Sequence, residues 1–320
     1  MKVFVVGGTG FLGYHAVQEL LRRGHQVGAL ALPSTPTPDI LPPEVPLQLA
    51  NIHTLPDLAL MELLEGYEGL IFAAGADDRV IPPAPAYETY FNRANVRTTV
   101  RLFDLARHVG VKRGVVCGSY FVHFHEQWPE LRLVERHPYI RSRVEQERQT
   151  TAVCLPDLAV TFMRLPYIFG AIPGRTPIWK SIVDYVRSPW PLFFTRGGTN
   201  MISVKHVAEA MVGALELGQA GKAYLVGDEN VTWADWLGRI GRIVGRQRKV
   251  HTLPDGVPRF GLLSLRLVLK LQNKQRGLEP VHYMDLQTRE TFFDPEPARQ
   301  ELGFGSGGLE EALKETVEAC

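Results

Sequence analysis

The stretch Lys2-Val3-Phe4-Val5-Val6-Gly7-Gly8-Thr9-Gly10-Phe11-Leu12-Gly13 decides the fold. Val3–Val6 is a short apolar run of the buried-strand kind, and from Phe11 to Arg23 apolar residues recur at helical spacing. The turn between them needs residues free to take positive φ, and it lets a phosphate approach backbone N–H groups at the helix N-terminus. A glycine string alone would also suit a tight turn with no ligand. Strand, glycine loop and helix in this order favour a phosphate-bearing cofactor.

Outward from this unit the pattern repeats. Gly24 ends the helix, Val27–Leu32 reads as a second strand, and Pro33 to Pro46 is a proline-rich loop that continues neither element. Leu47–Leu49, Leu70–Ala74, Gly114–Cys117 and Leu158–Met163 are further strands; Asp57–Leu64 and Asn92–His108 are helices between them. This alternation predicts an α/β fold, a Rossmann-like doubly wound parallel sheet. After Pro156, Pro173, Pro177, Pro189 and Pro191 break the chain into short pieces, and helical periodicity resumes over Val204–Leu217 and Trp233–Val244. The expected division is a dinucleotide-binding domain over 1–165 and a mainly substrate-binding lobe over 166–320, with 201–227 returning to the first domain.

Composition narrows the function classes. Across 320 residues, 35 Lys and Arg face 34 Asp and Glu, a net charge of +1 without the footprint of a general nucleic-acid binder. Cys117, Cys154 and Cys320 form no C-x-x-C pair, so neither a disulfide framework nor a metal site is expected. That usage suits a reducing cytoplasm. No secretory signal and no membrane-length apolar run is read from the sequence.

Six further pieces occur in a telling order. They are Ala73-Ala74-Gly75 after a strand, Asn95-Val96 in a helix, Gly118-Ser119 after a strand, and Pro138-Tyr139-Ile140-Arg141-Ser142-Arg143. Arg164-Leu165-Pro166 through Gly170 and Val204-Lys205-His206-Val207-Ala208 complete the set. Together with the glycine loop they make the chain resemble, over nearly its whole length, the extended short-chain dehydrogenase/reductase (NAD-dependent epimerase/dehydratase) family. The resemblance implies NAD or NADP held by Gly7, Thr9, Gly10, Phe11, Leu12, Gly13, Leu32, Asn51, Ala73, Ala74, Gly75, Asn95, Tyr139, Arg143 and Pro166. It also implies catalysis by Ser119 and Tyr139, with Arg143 where the family has lysine.

In the resembled chemistry Tyr139 gives or takes the proton on a carbonyl or alcohol oxygen, and Ser119 holds that oxygen. A phenol, with a pKa of about 10 when unperturbed, needs a neighbouring cation to work near neutrality. Arg143 lies at i+4 from Tyr139 on one helix face. It keeps the charge but cannot release a proton. A retained scaffold in which Tyr139 is only a core aromatic is the bland alternative. His123, His125 and Glu126 are second choices for proton transfer.

Departures bear on cofactor and substrate. The family places Asp for NAD or Arg for NADP at the end of the second strand; here Ala31 and Leu32 signal neither, and Ser34 and Thr35 suit both. Asn51 stands where an adenine-facing Asp is common. Gly197–Ser203 lacks the arginine that sugar-nucleotide enzymes of the family carry, although Arg196 is near, and Trp179, Trp190, Phe193 and Phe194 suit either an apolar substrate or the core. The expected function is NAD(P)-dependent reduction of a carbonyl, or oxidation of the alcohol, on a small apolar or aromatic molecule. An epimerase or dehydratase using transient hydride transfer and a non-catalytic dinucleotide-binding protein remain as alternatives. The leucine-rich basic stretch from Arg259 to Arg276 reads first as a packed helix with its charges toward water; a helix lying on an anionic membrane surface, or covering a pocket or a partner subunit, is the alternative. The partner expected is therefore a small molecule, with no nucleic acid; membrane contact is the less favoured reading, and a homodimer is compatible.

Overall fold

The computed structural model describes residues 1–35 and 37–320; Pro36 of the proline-rich loop lies outside the described residues. In the first part of the chain β1 (Lys2–Val6), α1 (Phe11–Arg22), β2 (Gln26–Ala31), β3 (Leu47–Leu49), α2 (Asp57–Leu64) and β4 (Gly69–Phe72) alternate. They are followed by α3 (Thr98–His108), β5 (Arg113–Cys117), α4 (Phe121–Gln127), α5 (Leu133–Arg136), α6 (Pro138–Cys154) and β6 (Ala159–Arg164). The central strands are apolar along their length because both faces are covered: in β4 all four residues are buried, and in β1 all but Lys2.

One sheet organises the molecule. Its seven strands run in the order β3-β2-β1-β4-β5-β6-β10, where β10 is Ala223–Leu225, and every neighbouring pair is parallel. Strand order reverses at β1, with Val3 beside Val27 on one side and Gly69 on the other. Such a switch point opens a crevice at the carboxyl ends of the strands. On one face Ala16, Val17 and Leu20 of α1 pack with Val207, Met211 and Leu215; on the other, Leu60, Leu64, Leu102 and Phe103 pack beneath Phe4, Leu70 and Phe72.

The Asn92–His108 helix begins earlier than its apolar spacing predicts. Tyr87–Arg97 is a wide-turn π-helical segment that runs directly into α3. Such turns concentrate at functional sites, and this one carries buried Asn95.

The remaining elements are β7 (Tyr167–Phe169), α7 (Lys180–Arg187), β8 (Leu192–Phe194), β9 (Gly198–Ser203), α8 (Val204–Leu217), β11 (Glu229–Thr232), α9 (Trp233–Ile243) and β12 (Val250–Thr252). They end with α10 (Gly256–Leu271), α11 (Pro280–Gln287), β13 (Glu290–Thr291), α12 (Glu296–Leu302) and α13 (Leu309–Glu318). β9 pairs with β7, β11 and β13, and β8 with β12. Beside them Phe169 stacks on Trp179 at 4.9 Å between ring centres, and Trp233 and Trp236 join the same core. Trp179 and Phe194 pack into this core, whereas Trp190 and Phe193 are exposed. The basic stretch departs from expectation: α10 turns an apolar side outward. Among the described residues no helix is long and apolar enough to cross a membrane.

Candidate active site

The glycine turn builds a cradle at the switch point. Gly7 takes φ +90°, and the amides of Gly7 and Gly8 both donate to Leu30 O, at 2.8 and 3.2 Å, fastening the turn to β2. Gly10 N donates to Gly7 O at 2.8 Å, and α1 begins at Phe11 with no capping side chain. The first amides of α1, with the positive end of its dipole, therefore meet the crevice without a protein side chain to satisfy them. A Cβ on Gly13 would collide with Gly7 O, so the helix packs on the turn through a bare backbone.

The crevice has a volume of about 300 Å³ and is lined by Gly7, Thr9, Gly10, Leu32, Ser34, Thr35 and Ala73–Gly75, together with Arg175. Of the other residues expected there, Phe11 lines a neighbouring cavity of about 240 Å³ with Ile168, Ala171, Arg175 and Trp179. Leu12 packs partly into the core. Asn51 is turned to its own loop, where its Oδ1 accepts from His53 N at 3.0 Å, and Ala50 and Ile52 line the crevice instead. Pro166 is half-buried between β6 and β7 and does not line it.

Ser119, Tyr139 and Arg143 are all buried. Ser119 follows β5, and its Oγ accepts from Phe121 N at 3.4 Å. Tyr139 sits in the first turn of α6, where its amide donates to Gly277 O at 3.0 Å and its ring meets Phe91 and Phe121. Among the described residues there is no hydrogen bond between Ser119 Oγ and the Tyr139 hydroxyl, and neither residue lines the crevice.

Arg143 is pinned from several elements. Its Nη1 donates to Cys117 O at 3.1 Å and Gln146 Oε1 at 2.9 Å, and its Nη2 to Ala76 O at 2.8 Å. The guanidinium carbon stands 5.2 Å from the centre of the Tyr139 ring. Asn95 holds Ala76 from the other side, accepting from its amide at 2.7 Å, and donates to Ser142 Oγ at 3.0 Å. Arg143 Nε is buried with no partner. The bare helix terminus and the glycine cradle fit a dinucleotide.

Two features escape the sequence pattern. Arg175 Nη2 donates to Thr35 Oγ1 at 2.7 Å, and Thr9 Oγ1 lies 2.9 Å from the same oxygen. A cation thus stands at the end of β2 although neither Ala31 nor Leu32 supplies one. Asp78 is the second: burial, then the charge of Asp77, raises its carboxyl above the usual range. Three tyrosines whose hydroxyls burial holds neutral, Tyr120, Tyr167 and Tyr283, feel its charge. Tyr167 and Tyr283 hydroxyls lie 3.1 Å apart, and Thr199 donates to Tyr120 Oη at 3.0 Å.

The second-choice residues are placed differently. Glu126 is bound by Arg164 at 2.7 Å, an arginine that also grips Glu147. His123 is held below the usual imidazole range by burial and then by Arg164, and His125 Nδ1 is buried without a partner. Among the described residues no three His, Cys, Asp or Glu side chains gather as a metal cluster.

The model of the NAD-dependent epimerase/dehydratase family matches residues 3–227, more than half of the chain. The chain belongs to this family. Similar family members include a dihydroflavonol 4-reductase-like protein of Synechocystis sp., 27% identical with 98% of this chain and 93% of that one covered. A 4-hydroxy-2-methyl-3-oxo-4-farnesyl-3,4-dihydroquinoline-1-oxide ketoreductase of Stigmatella aurantiaca is also 27% identical, over 95% of this chain and 92% of that one. The Bordetella bronchiseptica enzyme WbmF, solved with NADH, shares the fold at a TM-score of 0.70 and 22% identity, covering 99% of this chain and 91% of that one.

Proposed function

We propose that this family member catalyses net reduction of a carbonyl, or the reverse oxidation, on an apolar or aromatic small molecule. The observation that supports this reading is that Ser119, Tyr139 and Arg143 are all buried and that Arg143 bonds Ala76 O, next to the Ala73–Gly75 wall of the glycine crevice. The names of the reductase relatives agree with it, and the farnesylated quinoline of one suits an apolar substrate.

The bound dinucleotide supplies a hydride for the carbonyl carbon. As the C=O π electrons move to oxygen, the Tyr139 hydroxyl releases its proton to that oxygen, and the product is an alcohol. Ser119 Oγ–H donates to the same oxygen and stabilises its growing charge. Arg143 offsets the phenolate left on Tyr139, and its pinned guanidinium does so without reorganising.

Purified protein given NADPH or NADH and aromatic or prenylated ketones should consume cofactor in step with alcohol formed. Interconversion of epimers with no net cofactor change would support the epimerase reading instead. Cofactor binding without any turnover would support a non-catalytic protein.

A further inference from the structure

α10 is covered on one side only. Leu269 is buried, and Leu262 and Leu265 are half-buried on that same side, where α10 meets α11. The opposite side carries Val257, Phe260, Leu263, Leu267, Val268 and Leu271, all exposed, with Phe260 76% and Leu271 80% accessible. At 100° per residue these six fall on one continuous face. Singly exposed apolar residues are ordinary; a stripe of this length on one helix marks an interaction surface.

Charge selects what covers it. Arg266 and Lys270 border the stripe on one flank, and Lys274 follows just past the helix end. Arg259 is held by Asp285, and Arg266 reaches Glu279 at 3.5 Å, but Lys270 and Lys274 have no acidic partner among the described residues. The bias extends along the chain: residues 239–276 contain ten Lys or Arg and one acid, Asp255, in a protein whose net charge is +1. An isologous dimer through this face would bring the two basic flanks together, because each copy presents the same patch. A surface of anionic headgroups over acyl chains complements both features at once.

We propose that α10 docks the protein on an anionic lipid surface, lying in the plane of the interface with its apolar stripe among the acyl chains. The chain leaving α10 is tied to the candidate active site. Gln275 Oε1 accepts from Ala86 N at 2.8 Å, and Gly277 O accepts from Tyr139 N at 3.0 Å. Docking therefore sets the Tyr139 region close to the bilayer. The binding itself does not depend on the proposed reaction.

The test is co-sedimentation of the full chain with phosphatidylcholine vesicles and with phosphatidylcholine–phosphatidylglycerol vesicles. Wild type should pellet with the mixed vesicles only, and high salt should release part of it. The triple variant Phe260→Ser, Leu267→Ser, Leu271→Ser should lower the bound fraction by roughly tenfold or more. Lys270→Glu with Lys274→Glu should also weaken it strongly. All five positions are solvent-exposed, so thermal melting should stay near wild type and shows that each variant is folded. Wild type remaining in the supernatant with mixed vesicles would overturn the proposal, as would equal binding to both vesicle types. A solution dimer that the triple variant dissociates would overturn it too, and assign the face to a second copy of the chain.

Discussion

Arg175 brings to the end of β2 the positive charge that Ala31 and Leu32 lack. Its bond to Thr35, itself joined to Thr9, holds the guanidinium over the crevice beside Ser34. A phosphate on the adenosine ribose would meet that guanidinium and three hydroxyls, whereas an unmodified ribose gains no charged partner there. Arg175→Leu should therefore raise the Kd of NADP+ about tenfold or more by calorimetry while changing that of NAD+ little. Equal weakening of both cofactors would place Arg175 on the shared pyrophosphate instead. No sequence spacing reveals this arginine, because 140 residues separate it from Thr35. Within its own segment it sits among chain-breaking prolines and looks like part of a loop. His206 is similar: Asp228 reaches its ring at 2.8 Å from another segment. The expectation for Tyr139, Ser119 and Arg143 rests instead on local order along the chain, strand before serine and i to i+4 on a helix.

At the scale of elements, strand and helix positions follow from apolar periodicity, which is local, and most lie within a residue or two of their sequence-based limits. The wide turns of Tyr87–Arg97 were not legible, since extra residues per turn depend on what Asn95 must reach. The exposed side of α10 was hidden for a related reason: periodicity shows that a helix has an apolar side, not that a neighbour covers it. The turn from β1 into α1 separates ligand binding from folding. A Cβ on Gly10 meets only Gly7 O, at 3.1 Å, while one on Gly13 would run into backbone. Gly10→Val should therefore abolish cofactor binding in a protein that still melts cooperatively, while Gly13→Val should yield little folded protein. Full cofactor affinity in Gly10→Val would remove the pyrophosphate from this cradle. The junction of α6 and α11 carries a pH dependence. Glu279 N donates to His137 Nδ1 at 3.0 Å, the ring's Nε2 is buried without a partner, and burial pushes the imidazole down to about 3. Unfolded, it takes up a proton near its ordinary value, so its contribution is complete above about pH 6.5 and is lost as pH falls toward 3. Between pH 7 and 5 that amounts to about 2 kcal/mol. His137→Asn, which keeps an acceptor for Glu279 N, should flatten the fall in Tm over this range. Part of the slope should remain, because burial also holds His15, His53 and His123 low. An unchanged slope in the variant would clear His137 of the effect.

For the whole molecule, the seven-stranded sheet does two things with one topology. Its reversal at β1 opens the dinucleotide crevice, and the neighbouring carboxyl end of β5 delivers Ser119 toward α6. The later segments close over that edge, bringing Arg175 to the crevice and Gly277 to the backbone of Tyr139. The proposed reaction class rests on the sheet and α6, while Tyr167 and Tyr283 meet from separate segments and Tyr120 bonds Thr199. The sheet was legible in the sequence; the meeting of Tyr167 with Tyr283 was not, because 116 residues separate them. The central claim is that an arginine-supported tyrosine protonates the substrate oxygen. Turnover of Tyr139→Phe against wild type, with cofactor Kd measured on the same samples, tests it most directly. Removing the hydroxyl should slow turnover by about 10²–10⁴-fold, the usual worth of general acid–base help, with cofactor affinity nearly unchanged. Full activity in Tyr139→Phe on a substrate that wild type reduces would contradict the account and move the proton donor elsewhere in the cavity.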